Sequence, residues 1–375
     1  MIELQDIISQ YGDEFLRNYT LSPVQDKVLR AIKHCRTSVL GAHIDICDEC
    51  GFEKISYNSC RNRHCPKCQA FTKEQWIEKQ NQYLLNTGYF HVVFTLPSEL
   101  NQIIYQNQDV MYGLFFKAVS KTLLELCADK KYLGATPGIT AVLHTWGQNL
   151  MFHPHIHCIV TGGGLTKDSQ WRISRKKFFL PIKVLSRKFQ GKFLSYLKQA
   201  NLSFGKSIKY LSIPQHFDAL IEQLYRKDWV VYCKPPFQNP SKVIEYLGRY
   251  THRVAISNNR ILELKDGLVT FSWRDYSDNN MVKSLTVTAM EFIRRFMLHV
   301  LPSGFRKIRH YGILAARDKS KKIALCKKLT QTVLSTSYLK TTIERLCSML
   351  GEDFDICPCC GSGRMSRASP GKTIV

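Results

Sequence analysis

The sequence lacks the long apolar segment that a membrane-spanning helix needs, because no stretch of it approaches eighteen consecutive apolar residues. Its first residues, MIELQDIISQYGDEF, are acidic and polar, and they lack the basic start and the apolar run of a signal peptide. The chain also has no GxxxxGK[ST] segment, which excludes a P-loop for ATP. We therefore expect a cytoplasmic protein with no membrane partner.

Acidic residues are scarce relative to basic ones. The 375 residues include 53 Lys and Arg against 30 Asp and Glu, which gives a formal net charge of +23. Such an excess goes beyond what solubility requires and indicates a polyanionic partner. Hydrophobic residues make up 44% of the chain, which excludes wholesale disorder, and the length predicts two or three domains.

Nine of the 14 cysteines are clustered, six between residues 35 and 68 and three between residues 357 and 360. In a reducing compartment such clustering favours metal binding over a disulfide framework. The two Cys-x2-Cys pairs, Cys47 with Cys50 and Cys65 with Cys68, have a spacing that can place four thiolates around one zinc ion. We expect these four residues to form one structural zinc site.

Other candidate ligands interleave with these pairs, and they suggest a second zinc in a crossed arrangement. These are Cys35, His43, Cys60 and His64. The alternative is that Cys60 and His64 only pack or hydrogen-bond beside the first site. Arg61 and Arg63 of the same segment are then candidate phosphate contacts.

Near the other end of the chain, Cys357-Pro-Cys359-Cys360-Gly resembles half of a zinc knuckle. Cys326 or Cys347 could complete it. The alternatives are a site shared with another chain and a simple group of surface thiols.

A histidine-rich segment, His153-Pro154-His155-Ile156-His157, begins a predicted strand. Residues two apart on a strand share a face, so His155 and His157 should present two imidazoles together while Ile156 faces the core. With a third ligand, such a pair makes an open site for a divalent cation that holds a scissile phosphate. Taken alone, a histidine pair in a strand is more often explained by packing.

Tyr246 and Tyr250 are four residues apart in a predicted helix, so their phenols should project from one face. The usual explanation of such a pair is helix packing. Their neighbours Arg249, His252 and Arg253 are polar and basic, however, and such a face suits phosphate. A tyrosine can attack phosphorus and hold a covalent phosphodiester.

Two basic segments are candidate DNA-binding faces. Residues 172–192 contain eight Lys or Arg and no acidic residue, interleaved with aromatic residues that include Phe189 and the adjacent Trp171. Residues 294–328 contain eleven Lys or Arg against one Asp, and the candidate contacts there are Arg306, Lys307 and Arg309.

Together these residues resemble a known family, the rolling-circle insertion-sequence transposases of the ninety-one type, which belong to the HUH endonuclease superfamily. The superfamily is named for two histidines around a hydrophobic residue. The resemblance covers nearly the whole chain and lies in four segments: YNSCRNRHCPKCQ (57–69), HTWGQNLMFHPHIHCIVTGGG (144–164), EYLGRYTHRVAISNNR (245–260) and HVLPSGFRKIRHYG (299–312).

The resemblance implies an α+β fold: an HUH-type core with a central antiparallel sheet flanked by helices, the histidine strand in its middle and the tyrosine helix beside it. The implied domains are a helical and zinc-binding DNA-binding domain (1–70), a nuclease core with an inserted basic helical segment (71–260) and a basic C-terminal region with a Cys-rich end (261–375).

Carried over by residue, the resemblance implies that His155 and His157 bind Mg²⁺ or Mn²⁺. Gln148 matches the position of a third ligand in viral members of the superfamily, with His144 as the competitor, and a Gln oxygen suits a hard cation better than a third imidazole does. Tyr246 and Tyr250 match the paired catalytic tyrosines.

The implied reaction is transesterification on single-stranded DNA through a 5′-phosphotyrosine, with the transposon ends and target DNA as partners. A helicase or replication protein of the host would open the duplex, and the protein would associate with a bacterial nucleoid. Two alternatives remain open: a plasmid replication initiator or relaxase with the same core, and a zinc-dependent DNA-binding regulator without nuclease activity.

Overall fold

The computed structural model describes residues 2–174, 180–237, 243, 248, 254–275, 278–333, 341–351, 353 and 355–368. The chain divides into two compact units, each assembled from segments that are distant in sequence. The first unit comprises Met1–Lys79, His252–Val300 and Thr336–Val375, and the second comprises Gln80–Thr251 and Leu301–Ser335. The boundaries predicted after residues 70 and 260 therefore do not coincide with the ends of these units.

The helices of the described residues are α1 (Leu4–Asn18), α2 (Pro23–Lys33), α3 (Pro66–Asn81), α4 (Asn101–Gln106), α5 (Gln108–Ala128), α6 (Ile182–Lys198), α7 (Pro214–Arg226), α8 (Ala289–Met297), α9 (Lys319–Leu329) and α10 (Thr342–Leu350). In this part of the chain, no helix combines the length and the apolar character that crossing a membrane requires.

The strands are β1 (Ala42–Cys47), β2 (Glu53–Tyr57), β3 (Tyr89–Thr95), β4 (Thr136–Trp146), β5 (Phe152–Leu165), β6 (Trp171–Ile173), β7 (Val231–Phe237), β8 (Ile261–Lys265), β9 (Leu268–Asp275), β10 (Met281–Thr288), β11 (Ile308–Gly312) and β12 (Met365–Arg367).

The start of α2 follows from its sequence. The Ser22 side chain accepts a hydrogen bond from the backbone N–H of Gln25, and the Gln25 side chain accepts one from the backbone N–H of Ser22. Pro23 occupies the first turn, where its missing N–H costs nothing. These bonds satisfy amide groups that would otherwise have no partner at the helix start.

The second unit is built on a six-stranded antiparallel sheet. Five strands follow the order β11-β4-β5-β3-β7, and β6 pairs with the end of β5. The histidine strand β5 lies between β4 and β3, so the predicted antiparallel sheet with this strand in its middle is confirmed.

One face of this sheet forms the core of the second unit. Phe94 of β3 and Ile156 of β5 are opposite one another in the register, and both are fully buried. They pack against helices α5 and α6, where the Phe189 ring lies 5.1 Å from that of Phe94 and 5.7 Å from that of Phe115. Phe189 is therefore a core residue, and its prediction as part of a DNA face is wrong because α6 turns this side chain toward the sheet.

The glycine run Gly162–Gly164 lies inside the histidine strand, because β5 continues to Leu165. The close approach of neighbouring segments of the chain explains why glycine occupies these positions. A Cβ on Gly163 would lie 2.7 Å from atoms of the Trp171 ring, and one on Gly164 would lie 2.7 Å from the backbone of Thr136. Only glycine leaves room for both neighbours without a shift of the sheet.

The first unit contains two smaller antiparallel sheets. Strands β8, β9 and β10 form one of them, and the Phe271 ring of β9 packs edge-to-face on Phe292 of α8 with centroids 5.6 Å apart. The other has the order β12-β1-β2, so a strand near residue 366 pairs with one near residue 46. This pairing places the C-terminal Cys-rich segment and the N-terminal hairpin in the same compact unit.

Candidate metal centres and DNA-binding residues

Three histidines meet on the face of the large sheet opposite its core. His144 of β4 is directly opposite His155 of β5, and His157 follows on the same side because strand side chains alternate. One ring nitrogen from each lies within 4.8 Å of the others. The three imidazoles therefore form a group that could hold one metal ion.

Neighbouring groups hold two of these rings in defined orientations. The Nδ1 atom of His155 is 2.7 Å from the carbonyl oxygen of His153, to which it donates, so the lone pair of a neutral ring is on Nε2. The Nδ1 atom of His157 is 2.9 Å from Nε2 of His91. If Nδ1 of His157 donates this bond, its Nε2 likewise carries the lone pair that a metal needs.

The sequence reasoning missed His91. It lies on β3 two residues before Val93, which faces His157 in the register, and burial, helped by the nearby charge of Lys234, lowers the pKa of His91 to about 3. The ring is therefore neutral at physiological pH. The available signal was the alternation in YFHVVFT, which places His91 and Val93 on one face of a strand.

The third ligand proposed from the resemblance was Gln148, with His144 as the competitor. The structure brings His144 into the cluster, where it is 2% exposed and its ring centroid lies 4.6 Å from that of His157. Gln148 lies in the turn that joins β4 to β5. The geometry therefore favours His144 as the third ligand.

The tyrosine pair lies outside the described residues, and so do the basic residues around it. These are Tyr246, Tyr250, Arg249, His252 and Arg253. Their predicted roles stay predictions.

The first unit contains two groups of four cysteines. Cys35, Cys60, Cys65 and Cys68 form one group, and Sγ–Sγ distances of 3.6 to 3.7 Å separate neighbours within it. Thiolates bound about 2.3 Å from a tetrahedral zinc ion are roughly 3.8 Å apart, so this group has the dimensions of a four-thiolate zinc site. The second group joins Cys47 and Cys50 to Cys357 and Cys360.

The expected grouping of Cys47 and Cys50 with Cys65 and Cys68 is therefore wrong. The β1–β2 hairpin explains the difference, because Cys47 and Cys50 lie at its closed end, while Cys35 precedes it and Cys60 follows it. Five residue pairs of the hairpin lie between these two ends, a length of roughly 15 Å at 3.3 Å per residue. One ion cannot bind at both ends.

The two histidines assigned to a second zinc lie outside both cysteine groups. The Nδ1 atom of His43 lies 3.4 Å from Oδ1 of Asn58, and the backbone N–H of His64 donates to the Asn62 side chain. Of the suggested second set, Cys35 and Cys60 lie with Cys65 and Cys68, whereas His43 and His64 lie outside that group.

The candidate phosphate contacts differ in their surroundings. Between Cys60 and Cys65, Arg61 is exposed and has a left-handed φ of 50°, while Arg63 is half-buried and burial lowers its pKa. Two further candidates, in the second unit, line a groove of about 800 Å³ that is formed by Asp109 and by residues between 303 and 319.

Arg306 and Arg309 line this groove, together with His310. The Arg309 guanidinium lies 4.3 Å from the centroid of the Phe116 ring and 5.3 Å from that of Phe305, so it is held by cation–π contacts. The backbone carbonyl of Lys307 accepts a bond from Leu143 of β4. Both aromatic rings are buried, so they anchor the Arg309 side chain at a groove whose lining also includes Lys319 and Asp109.

The comparisons with known proteins agree with this architecture. A family model described as "Putative transposase" matches residues 138–322, and one described as "Transposase zinc-binding domain" matches residues 7–96. The chain is 46% identical over 373 residues to a protein of Sinorhizobium fredii (strain NBRC 101917 / NGR234) named "Putative transposase y4qJ", a match that covers 97% of this chain and 94% of that protein.

A second relative is "Transposase for insertion sequence element IS801" of Pseudomonas savastanoi pv. phaseolicola, which is 28% identical over 79% of this chain and 72% of its own length. No solved structure shows a significant match. The chain is a transposase with an N-terminal zinc-binding domain, and it belongs to the ninety-one-type (IS91) family of insertion-sequence transposases.

Proposed function

We propose that the protein cleaves and rejoins single-stranded DNA by metal-assisted tyrosine transesterification, the chemistry of HUH endonucleases in rolling-circle transposition. The observation that carries the proposal is the cluster of His144, His155 and His157 on adjacent strands of the sheet, in a chain that belongs to a transposase family. A regulator that only binds DNA would not need three imidazoles that converge as metal ligands do.

The cluster has the donors that an open metal site requires. His144, His155 and His157 would hold one divalent cation and leave its other positions to water and DNA. Mn²⁺ fits three imidazoles better than Mg²⁺ does, because Mg²⁺ prefers oxygen ligands. The bound cation would polarise the scissile phosphate and stabilise the charge that develops on its oxygens.

The protein supplies the nucleophile. In the proposed step, the phenol oxygen of Tyr246 or Tyr250 bonds to phosphorus, the bond from phosphorus to the 3′ oxygen breaks, and that oxygen leaves as a free 3′-OH. The phosphotyrosine conserves the energy of the phosphodiester, so a second strand can be joined without ATP. Support for these residues comes from their four-residue spacing and the resemblance of the segment 245–260 to the family.

The proposed substrates are single strands at the element's ends and target DNA. The groove bordered by Arg306 and Arg309 offers cations for the phosphates of a single strand. Because the sequence contains no P-loop, a host helicase or replication protein would have to expose the strand.

The test is a search for a covalent protein–DNA adduct. Purified full-length protein is incubated with Mn²⁺ or Mg²⁺ and single-stranded oligonucleotides from both flanks of its own gene, and the products are separated under denaturing conditions. We expect a denaturant-resistant adduct that disappears on chelation, in the Tyr246→Phe/Tyr250→Phe double variant and in the His155→Ala/His157→Ala double variant. Tyr210→Phe is the matched control, because Tyr210 is an exposed tyrosine that belongs to neither the histidine nor the tyrosine segment of the sequence.

Binding without an adduct on either flank, with both metals tried, would contradict the nuclease proposal and favour a DNA-binding regulator. An adduct that persists in the tyrosine double variant would support nuclease activity but contradict the assignment of Tyr246 or Tyr250 as the nucleophile. An adduct that forms equally well in the histidine double variant would reject the metal site.

A further inference from the structure

The second cysteine group is formed by two turns that are far apart in sequence. Cys47 and Cys50 lie at the closed end of the β1–β2 hairpin, and Cys357 and Cys360 lie in the segment before β12. The pairs that approach each other, Cys47 with Cys360 and Cys50 with Cys357, are separated by 313 and 307 residues. Both turns belong to the first unit, whose folding brings them together.

The distances in this group fit a metal and do not fit a disulfide. The Sγ atoms of Cys47 and Cys360 are 3.7 Å apart, and so are those of Cys50 and Cys357. A disulfide requires about 2.05 Å, whereas four thiolates about 2.3 Å from a tetrahedral zinc ion are roughly 3.8 Å apart. All four cysteines are free thiols in the structure.

The two turns have the same local conformation. Each reads Cys-x2-Cys-Gly, and the glycine after the second cysteine has a left-handed φ, 69° at Gly51 and 72° at Gly361. In each turn the glycine N–H donates to the carbonyl of the first cysteine, over 3.2 Å from Gly51 to Cys47 and 3.0 Å from Gly361 to Cys357. Matched turns of this kind direct two thiolates each toward a common point.

Backbone contacts hold the turns against each other. The N–H of Asp48 donates to the carbonyl of Arg364, and the N–H of Arg364 donates back to the Asp48 carboxylate at 2.7 Å. Strand β12 continues this contact by pairing with β1. A Cβ on Gly363 would overlap Cys47 Sγ, so a glycine is required where these two segments meet.

We propose that Cys47, Cys50, Cys357 and Cys360 bind a second Zn²⁺ ion and complete a zinc ribbon that fastens the C-terminal segment to the N-terminal hairpin. The family matches at residues 7–96 and 138–322 include neither Cys357 nor Cys360, so the known zinc-binding domain does not account for this site. Four thiolates leave no open position, and the ion is therefore structural. The proposal does not depend on the DNA chemistry, so the tyrosine double variant should bind zinc as the wild type does.

Cysteine alkylation of the native, zinc-loaded protein tests the site in a single sample. Cys359 and Cys360 are adjacent and both exposed, but only Cys360 belongs to the group. We expect N-ethylmaleimide, with the product located by mass spectrometry, to modify Cys359 at least tenfold faster than Cys360. Chelation of zinc should abolish the difference, whereas equal modification of both thiols in the loaded protein would overturn the proposal.

Zinc content provides the second measurement. The wild type should contain two zinc ions per chain, the Cys357→Ser/Cys360→Ser double variant one, and the control Cys359→Ser two. Protection of Cys60 from alkylation in the double variant would show that the first cysteine group is still folded. Two ions in that double variant, or one in the wild type, would overturn the proposal.

Discussion

The Nε2 atom of His91 lies 2.9 Å from Nδ1 of His157, and the two rings are nearly parallel, with an interplanar angle of 10°. This bond connects a fully enclosed strand residue to one of the three histidines of the candidate metal site. A ring that is held through Nδ1 presents Nε2 in a fixed direction, and this orientation is lost when the partner is removed. His91 is therefore a positioning residue for His157.

Replacement of His91 should weaken metal binding without unfolding the sheet. We expect His91→Leu to lower Mn²⁺ affinity about 10- to 100-fold, the usual effect of losing such a partner. His91→Gln keeps an oxygen that can accept the bond and should recover most of the affinity. Isothermal titration measures the Mn²⁺ affinity of both variants and of the wild type. An affinity of His91→Leu equal to that of His91→Gln would show that His91 contributes only by packing.

The identity of the third ligand can be tested by two single variants. His144→Ala removes an imidazole that lies within 4.8 Å of the other two ligand atoms, whereas Gln148→Ala changes the turn between β4 and β5. We expect His144→Ala to lower both Mn²⁺ affinity and adduct formation at least tenfold and Gln148→Ala to affect them less. The reverse order would restore Gln148 as the ligand that the resemblance implied.

Substitutions of Phe189 and Lys183, both on α6, should affect different properties: the first the stability of the fold and the second DNA binding. Phe189 is fully buried among aromatic rings, so Phe189→Ala should destabilise the protein by about 3–5 kcal/mol. Lys183 is exposed on the same helix, so Lys183→Ala should leave urea unfolding unchanged. If α6 contacts DNA, that variant should reduce the salt dependence of binding by about one ion. Unfolding curves that coincide for Phe189→Ala and the wild type would contradict the core assignment.

The sequence alone predicts the structure correctly where the pattern lies within one short segment. The alternation around Ile156 places it in the core and His155 and His157 on the other face, and Ser22-Pro23 marks a helix start, as the structure has them. These features depend on strand periodicity and on amide groups within one turn of helix, both of which a short segment determines by itself.

The sequence alone does not predict contacts between segments that are far apart in the chain. The division of the cysteines depends on the length of the β1–β2 hairpin and on the pairing of β1 with β12, and neither follows from Cys-x2-Cys spacing. His91 reaches His157 only through the register of two strands that are about sixty residues apart in sequence. Long-range pairing of this kind leaves no periodic signal in one sequence.

Acid should destabilise the second unit in part through His310. Burial, with a smaller contribution from Lys319, lowers the pKa of His310 to about 4, and Nδ1 of this ring lies 3.0 Å from Oγ1 of Thr140. In the unfolded chain His310 takes up a proton near pH 6.5, but in the folded protein it does not. The contribution of the neutral His310 ring to stability is therefore complete above pH 6.5 and is lost as the pH falls toward 4. Between pH 7.5 and pH 5 the wild type should lose of order 1–2 kcal/mol from this group.

His310→Gln removes the titrating group while it keeps an amide near Thr140, so its stability should fall less over the same pH range. Urea unfolding of both proteins at pH 7.5 and pH 5 measures the difference, and comparison of the two proteins cancels the contributions of the other histidines. The pH 7.5 measurement serves as the control, because the ring is neutral in both states there and only the loss of its packing separates the proteins. Parallel losses in the two proteins would mean that His310 is accessible enough to take up its proton in the folded state, and that Thr140 does not hold it neutral.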